Sequence, residues 1–150
     1  VNNEIVEAKF NGMFVTAVFG KMNVSNGEIE IINAGHENIM LLDESKNFEF
    51  IKADLPPIGI LKYPNEKMVI KRNINIKNKT FIVYSDGVTE GYLKNGQMLG
   101  VEGIKEIILN IKEINPKNII NNIVDTLNFD QAKLRDDITC LCININNSNY

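Results

Sequence analysis

Three acidic residues lie beside apolar segments, and their type and spacing suit metal chemistry. Asp86 follows Phe81–Ser85, a mostly β-branched and aromatic run that predicts a short buried strand. Asp136 and Asp137 precede Ile138–Ile145, which predicts the last strand. If these strands are antiparallel neighbours, the end of one and the start of the other share a sheet edge, so the acids converge. Converging carboxylates repel one another unless a proton or cation joins them, and oxygen-only ligands favour Mg²⁺ or Mn²⁺ over zinc.

Each acidic group also has a simpler interpretation. Asp86-Gly87 is a strong hairpin signal, in which Asp86 would only shape the turn while Gly87 lets the backbone bend. Asp136 and Asp137 would, in the simpler case, form a solvated loop end, with Arg135 pairing one of them at the surface. The residues alone leave these alternatives open.

The single histidine and the two cysteines are weaker candidates. His36 follows Ala34-Gly35, a context more typical of a turn or packing residue than of a ligand. Cys140 and Cys142 share one face of the last strand about 7 Å apart, which is too far for an easy disulfide. We expect both thiols to fill the core. Two thiols without a disulfide pattern indicate a reducing, cytoplasmic compartment.

Length and composition are those of an ordinary globular domain. The chain has 150 residues, of which 44% are hydrophobic and 23% charged, so we expect one domain with a substantial core. The net charge of -3 argues against nucleic acid or an anionic membrane as the main partner, because both need a basic surface. No apolar run approaches the length of a membrane span, and the start does not resemble a signal peptide.

The elements that must position the acids are mostly strands followed by two helices. Met13–Val24 and Glu28–Asn33 predict a β-hairpin around Ser25–Gly27, with a bulge or close backbone approach at Gly20. Asp54–Ile60 contains two prolines and predicts an extended connector. The other predicted segments are a helix end at Asn2–Phe10, strands at Asn38–Leu42, Phe48–Ile51 and Lys67–Ile76, and a polar loop at 128–135.

Two amphipathic helices precede the last strand. Ile104, Ile107, Ile108 and Ile111 form one apolar stripe. Asn115 predicts the N-cap of the second helix, whose stripe contains Ile119, Ile120, Ile123 and Leu127. Strands first and helices late predict an α+β fold, in which antiparallel sheets form a sandwich with flanking helices.

Five motifs occur in an order that resembles a known family. In chain order they are Met13–Thr16, Asn33–His36, Leu55–Gly59, Tyr84–Glu90 and Asp136–Thr139. The series is similar to the sporulation-stage-II-E and sigma-factor-regulator branch of the bacterial PPM (PP2C-like) serine/threonine phosphatases. The resemblance implies two stacked antiparallel sheets flanked by helices, and a two-metal site holding Mn²⁺ or Mg²⁺ at one end. It also implies hydrolysis of phosphoserine or phosphothreonine on a regulatory protein, such as an anti-sigma-factor antagonist.

The resemblance assigns roles residue by residue. It makes Asp86 and Asp136 metal ligands, with Gly87 and Asp137 in support. The motif formed by Asn33, Gly35 and His36 is a hallmark of the family, but no chemical role transfers with it. No further catalytic residue is assigned.

Two departures from the family pattern shape the expectations. Met98–Gly100 replaces the usual Phe-Gly, which is a modest packing change. The family's first acidic motif, Gly-Asp-x-x-Asp, is absent and would lie upstream of Val1. We therefore expect residues 1–150 to be a single partial phosphatase domain that is inactive alone, and to self-associate through an exposed edge. The alternative is a non-catalytic protein-binding module on a phosphatase scaffold.

Overall fold

The computed structural model describes residues 1–8, 12–127 and 136–145. The chain divides into two compact units. Unit 1 comprises Val1–Asn38 and Ile51–Lys77, and unit 2 comprises Ile39–Phe50 and Asn78–Tyr150.

Four helices and seven strands make up the regular structure of the described residues. In chain order they are α1 (Asn2–Ala8), β1 (Ala17–Asn23), β2 (Glu28–Ala34), β3 (Ile39–Asp43), β4 (Phe48–Ile51), β5 (Arg72–Asn75), β6 (Lys79–Tyr84), α2 (Asp86–Thr89), α3 (Gly100–Asn110), α4 (Pro116–Thr126) and β7 (Cys140–Asn144), with a 3₁₀ helix at Glu66–Met68. The predicted α+β class is confirmed. The predicted polar loop at 128–135 lies outside the described residues.

The sheet of unit 1 has the strand order β1-β2-β5. β1 and β2 form the predicted antiparallel hairpin, and Gly27 closes its turn with a φ of 76°. The register runs without interruption past Gly20, which lies opposite Ile31, so the predicted bulge is wrong. An added Cβ at Gly20 would meet Ile29 Cγ2 at 3.5 Å, an ordinary contact. The strand predicted at Lys67–Ile76 is also too long, because its first part forms the 3₁₀ helix.

The sheet of unit 2 has the strand order β4-β3-β6-β7. β6 is antiparallel to both of its neighbours, and Tyr84 lies opposite Cys140. β1 and β7 are end strands of their sheets, and no described strand pairs with their outer edges. Self-association through such an edge stays a prediction.

The helices α3 and α4 supply the main core of unit 2 together with its sheet. Asn115 caps α4 as predicted, since its side-chain oxygen accepts a hydrogen bond from the Asn118 backbone N–H at 2.9 Å. The core is a cluster of buried apolar side chains from both layers: Met40, Leu42, Ile82, Tyr84, Val88, Leu99, Ile104, Ile108, Ile111, Ile119, Ile123 and Leu127.

The two cysteines pack against this core and are free thiols, which confirms their interpretation as core residues. Burial raises the pKa of the Cys140 thiol. Burial, together with the neighbouring Cys140, raises the pKa of Cys142 to about 12. Both are therefore protonated at neutral pH and are poor metal ligands.

The proline-containing connector is held in unit 1 by backbone pairing and one ion pair. Val15 and Ile58 exchange two backbone hydrogen bonds of 2.9 and 2.8 Å. Asp54 forms an ion pair with Arg72 on β5, and its side chain is 15% exposed. The hydrogen bond from Arg72 lowers the pKa of the Asp54 carboxyl.

Truncating one core side chain of α4 tests the packing. Ile123 is 1% exposed, whereas the next residue, Val124, is 41% exposed. We expect Ile123→Ala to lower the free energy of unfolding by about 2–5 kcal/mol, because a buried cavity remains. Val124→Ala should change it by less than about 0.5 kcal/mol. Urea unfolding of both variants measures this, and equal losses would contradict the packing of α4.

A pH series tests the Asp54–Arg72 pair. Because the folded-state pKa of Asp54 is lowered, its contribution is present above the unfolded pKa and is lost as pH falls through the folded pKa. The stability advantage of wild type over Asp54→Asn should therefore shrink as pH falls from about 5 to about 2. Thermal unfolding across this range measures it. Glu49→Gln, which breaks the exposed pair with Lys79, is the control and should have a small effect throughout.

Candidate functional site

The end of β6 places Asp86 between two buried anchors. Tyr84 and Val88 are 1% and 0% exposed and belong to the core of unit 2. Between them the backbone forms the single turn of α2, in which Val88 N–H bonds Ser85 O at 3.0 Å and Glu90 N–H bonds Asp86 O at 2.7 Å. The hairpin interpretation of Asp86-Gly87 is therefore wrong. Asp86 itself is exposed.

The start of β7 carries the other two acids. Asp136 and Asp137 are both exposed, and they lie in the few residues without regular secondary structure that lead into the strand. The Asp137 backbone N–H donates to Asp136 Oδ1 at 2.8 Å, which fixes that carboxylate against its own turn. Arg135, the surface partner considered for these acids, lies outside the described residues.

The antiparallel pairing of β6 with β7 brings the two acidic turns together. Ser85 N–H bonds Thr139 O at 2.9 Å, which continues the ladder beyond Tyr84. A Cβ added at Gly87 would lie 2.3 Å from Asp137 O and 3.4 Å from Asp136 O. Gly87 has no positive φ, so a glycine is required here for close approach and not for an unusual turn. Gly87 and Asp137, the two residues expected to support the metal ligands, are thus in direct backbone contact.

The electrostatics of the paired turns suit a hard cation. Asp86 Oδ1 accepts a hydrogen bond from Gly87 N–H at 2.9 Å, as Asp136 Oδ1 does from its own neighbour. Carboxylate oxygens in an exposed position are the ligands that Mn²⁺ and Mg²⁺ prefer. Among the described residues, however, no three His, Cys, Asp or Glu side chains form a group able to hold a metal. The ligand chemistry fits such an ion, while the ligand number falls short within the described residues.

The motif Asn33–His36 has a structural role in unit 1. Asn33 is 2% exposed, and its amide closes the turn by accepting from His36 N–H at 3.0 Å and donating to Glu37 O at 3.1 Å. Gly35 has a φ of 64°, and a Cβ there would lie 2.4 Å from the Pro57 ring. The hydrogen bonds that close the turn need the Asn33 amide, and the positive φ and the close approach to Pro57 need a glycine at position 35.

Three of the five motifs meet at this turn. Gly35 N–H donates to Leu55 O at 2.8 Å, and His36 Nδ1 lies 3.2 Å from Thr16 Oγ1. His36 therefore contacts the motif Met13–Thr16, a contact that sequence reasoning missed because twenty residues separate the partners. The Met98–Gly100 departure is accommodated in unit 2, where Leu99 is 6% exposed and packs in the core.

Ser85 is the site residue that sequence reasoning missed. The run Phe81–Ser85 predicts no more for it than the end of a strand, whereas its hydroxyl bonds the backbone that leads into β7. The available signal was its position directly before the acidic residue of the motif.

The sequence model of one protein family matches nearly the whole chain. The family is described as stage II sporulation protein E (SpoIIE), and the match covers residues 1–146. A curated relative, Protein IcfG of Synechocystis, is 28% identical over an alignment of 138 residues that covers 87% of this chain and 20% of that protein.

Solved structures show the same fold. The phosphatase domain of SpoIIE from Bacillus subtilis, presoaked with manganese, superposes with a TM-score of 0.67 at 18% identity, covering 99% of this chain and 64% of that one. The RsbU and RsbW domains of a Mycobacterium tuberculosis protein give a TM-score of 0.62 at 18% identity, covering 85% and 36%. The predicted PP2C-like fold is therefore confirmed. The chain spans less than two thirds of the length of these relatives.

None of the described helices has the length and apolar character needed to cross a bilayer.

A methyl group added at Gly87 tests the contact between the two acidic turns. Gly87→Ala should lower the melting temperature by several degrees, because the Cβ would lie 2.3 Å from a backbone oxygen that cannot rotate away. This sign is opposite to the gain that alanine normally gives in a helix. Gly20→Ala is the control, since its Cβ meets only ordinary contacts. Thermal unfolding of both variants measures the melting temperatures. A Gly87→Ala variant with the melting temperature of the wild type would contradict the close approach.

Proposed function

Because the chain belongs to the stage II sporulation protein E family, which its match over residues 1–146 shows, we propose that it is part of a metal-dependent protein serine/threonine phosphatase. The substrate class is phosphoserine or phosphothreonine on a regulatory protein such as an anti-sigma-factor antagonist. The metal is Mn²⁺ or Mg²⁺. Free thiols in the core are in keeping with a cytoplasmic protein.

The observation that carries this proposal is the meeting of two carboxylate-bearing turns at one sheet edge. The turn after β6 carries Asp86, the segment before β7 carries Asp136, and Gly87 lies against the backbone of that segment. Two like charges placed side by side are stabilised by a cation. In this proposal, a cation at this edge takes both side chains as ligands.

Within this proposal each residue has a separate role. Asp86 and Asp136 hold the metal through the carboxylate oxygens that their own turns leave unbonded, and Gly87 and Asp137 set the spacing of the two turns. When bound, a pair of divalent ions supplies an activated water and neutralises charge on the phosphoryl oxygens. A further acid for the metals would come from the family's Gly-Asp-x-x-Asp motif, which this sequence lacks. The chain by itself therefore holds part of a site.

The second candidate function is a non-catalytic module that binds a protein partner. The lack of a three-residue metal group among the described residues favours it. The two functions differ in whether this chain retains measurable metal affinity.

Neutralising one proposed ligand tests the phosphatase function. In the full-length protein that contains this chain, Asp86→Asn should lower Mn²⁺-dependent hydrolysis of a small aryl phosphate by about a hundredfold or more, because a metal ligand is lost. Asp125→Asn on α4 is the matched control, since it removes one exposed acid that belongs to neither turn. Chelation with EDTA should abolish activity in the wild type. Unchanged activity in Asp86→Asn would overturn the proposal.

Calorimetric titration of the 150-residue chain with Mn²⁺ separates the two candidate functions. Binding that disappears in Asp86→Asn and persists in Asp125→Asn supports a metal site in a phosphatase. No binding in the wild type, together with no hydrolysis by the full-length protein, supports the binding module.

A further inference from the structure

Ser85 occupies the N-cap position of α2 but does not cap it. Its φ and ψ of -78° and 162° are those of an N-cap, and its side chain makes no cap hydrogen bond. A serine at this position normally accepts a hydrogen bond from an N–H of the first helical turn. The hydroxyl of Ser85 therefore does not accept this hydrogen bond from α2.

The hydroxyl instead bonds the backbone that leads into β7. Ser85 Oγ donates to Asp137 O at 3.0 Å and accepts from Thr139 N–H at 3.0 Å. Its own N–H donates to Thr139 O at 2.9 Å. Three hydrogen bonds from one residue thus join the end of β6 to residues 137–139.

These bonds lie directly beside both proposed metal ligands. Asp86 follows Ser85 in sequence, and Asp136 precedes Asp137. Each proposed ligand is thus the direct sequence neighbour of a residue that takes part in the hydrogen bonds of Ser85. A shift of the end of β6 against residues 137–139 would therefore break at least one bond of Ser85.

We propose that Ser85 is a positioning residue that holds the Asp86 turn and the Asp136 segment at the spacing a shared divalent cation needs. This inference rests on the proposed function, because it concerns the same metal. Two carboxylates at one edge repel each other when no cation is bound, and the bonds of Ser85 oppose their separation. Residues that orient metal ligands typically contribute tenfold to hundredfold in affinity.

The same strand pair contains an internal control at its other end. Asn144 Nδ2 donates to Thr80 Oγ1 at 2.9 Å, which is also a side-chain bond between β6 and β7. Thr80 lies opposite Asn144 in the register, and Tyr84 lies opposite Cys140. Thr80→Ala therefore weakens the pairing of the same strands without touching the acidic turns.

The experiment compares wild type with Ser85→Ala, Ser85→Thr and Thr80→Ala in the 150-residue chain. Mn²⁺ is added in steps, and its affinity is measured from the paramagnetic broadening of backbone amide signals, with urea unfolding as a second readout. We expect the amides of Gly87 and Asp137 to broaden first. Ser85→Ala should weaken Mn²⁺ binding by about tenfold to hundredfold. Ser85→Thr, which keeps the hydroxyl, should restore most of the affinity, and Thr80→Ala should bind as wild type does.

The outcomes separate this inference from the proposed function. A wild type that binds no Mn²⁺ at the acidic turns rejects the metal site and the positioning role together. A wild type that binds, with Ser85→Ala within about twofold of it, rejects the positioning role alone. Equal losses in Ser85→Ala and Thr80→Ala, or a Ser85→Ala chain that does not fold while Thr80→Ala folds, would assign Ser85 to strand pairing only and also overturn the inference.

Discussion

The register between β6 and β7 is the constraint on which the rest of unit 2 depends. With Tyr84 opposite Cys140, both cysteines face the core built by α3 and α4, and Ser85 meets Thr139 at the open end of the pair. A slip by one residue would turn every side chain of β7 to the other face, and it would move Asp136 by about 3.3 Å along the strand. Apolar packing along the strands and the spacing of the acids at their ends are therefore set by one pairing. Loss of the core would also dismantle the candidate site.

Sequence pattern was sufficient where structure is local and periodic. The stripes of α3 and α4, the Asn115 cap and the hairpin of β1 and β2 follow from residue spacing, and each is present. Asp86-Gly87 is a strong hairpin signal, and a hairpin was one of its two open interpretations, yet the dipeptide begins the single turn of α2. The choice is made by distant residues, since Val88 is buried in the core and Gly87 lies against the Asp137 carbonyl. Local propensity contains no information on either contact.

The motif Asn33–His36 also shows that local sequence pattern does not predict contacts between distant parts of the chain. Its order in the chain supported the resemblance, but its role follows only from contacts across long sequence separations. Asn33 is buried and satisfied by the turn that it closes, and Gly35 leaves the space that Pro57 fills. A buried amide without these partners would destabilise the fold by about 1–3 kcal/mol. Because the turn supplies both partners, a polar residue is tolerated at this buried position. The structural role of the motif is therefore to pack the end of β2 against the proline-containing connector.

In the proposed metal site, the exposure of the two acids determines how strongly this chain alone would hold a cation. Asp86 and Asp136 are both exposed, so water screens their mutual repulsion and also competes for the ion. Divalent Mg²⁺ gives up its water reluctantly, and few protein ligands leave most of its shell hydrated. Affinity then depends less on charge, which any two surface acids supply, than on fixed spacing between them. In the proposed site, neutral groups would set that spacing, namely the Ser85 hydroxyl, the missing side chain of Gly87 and the strand ladder below them.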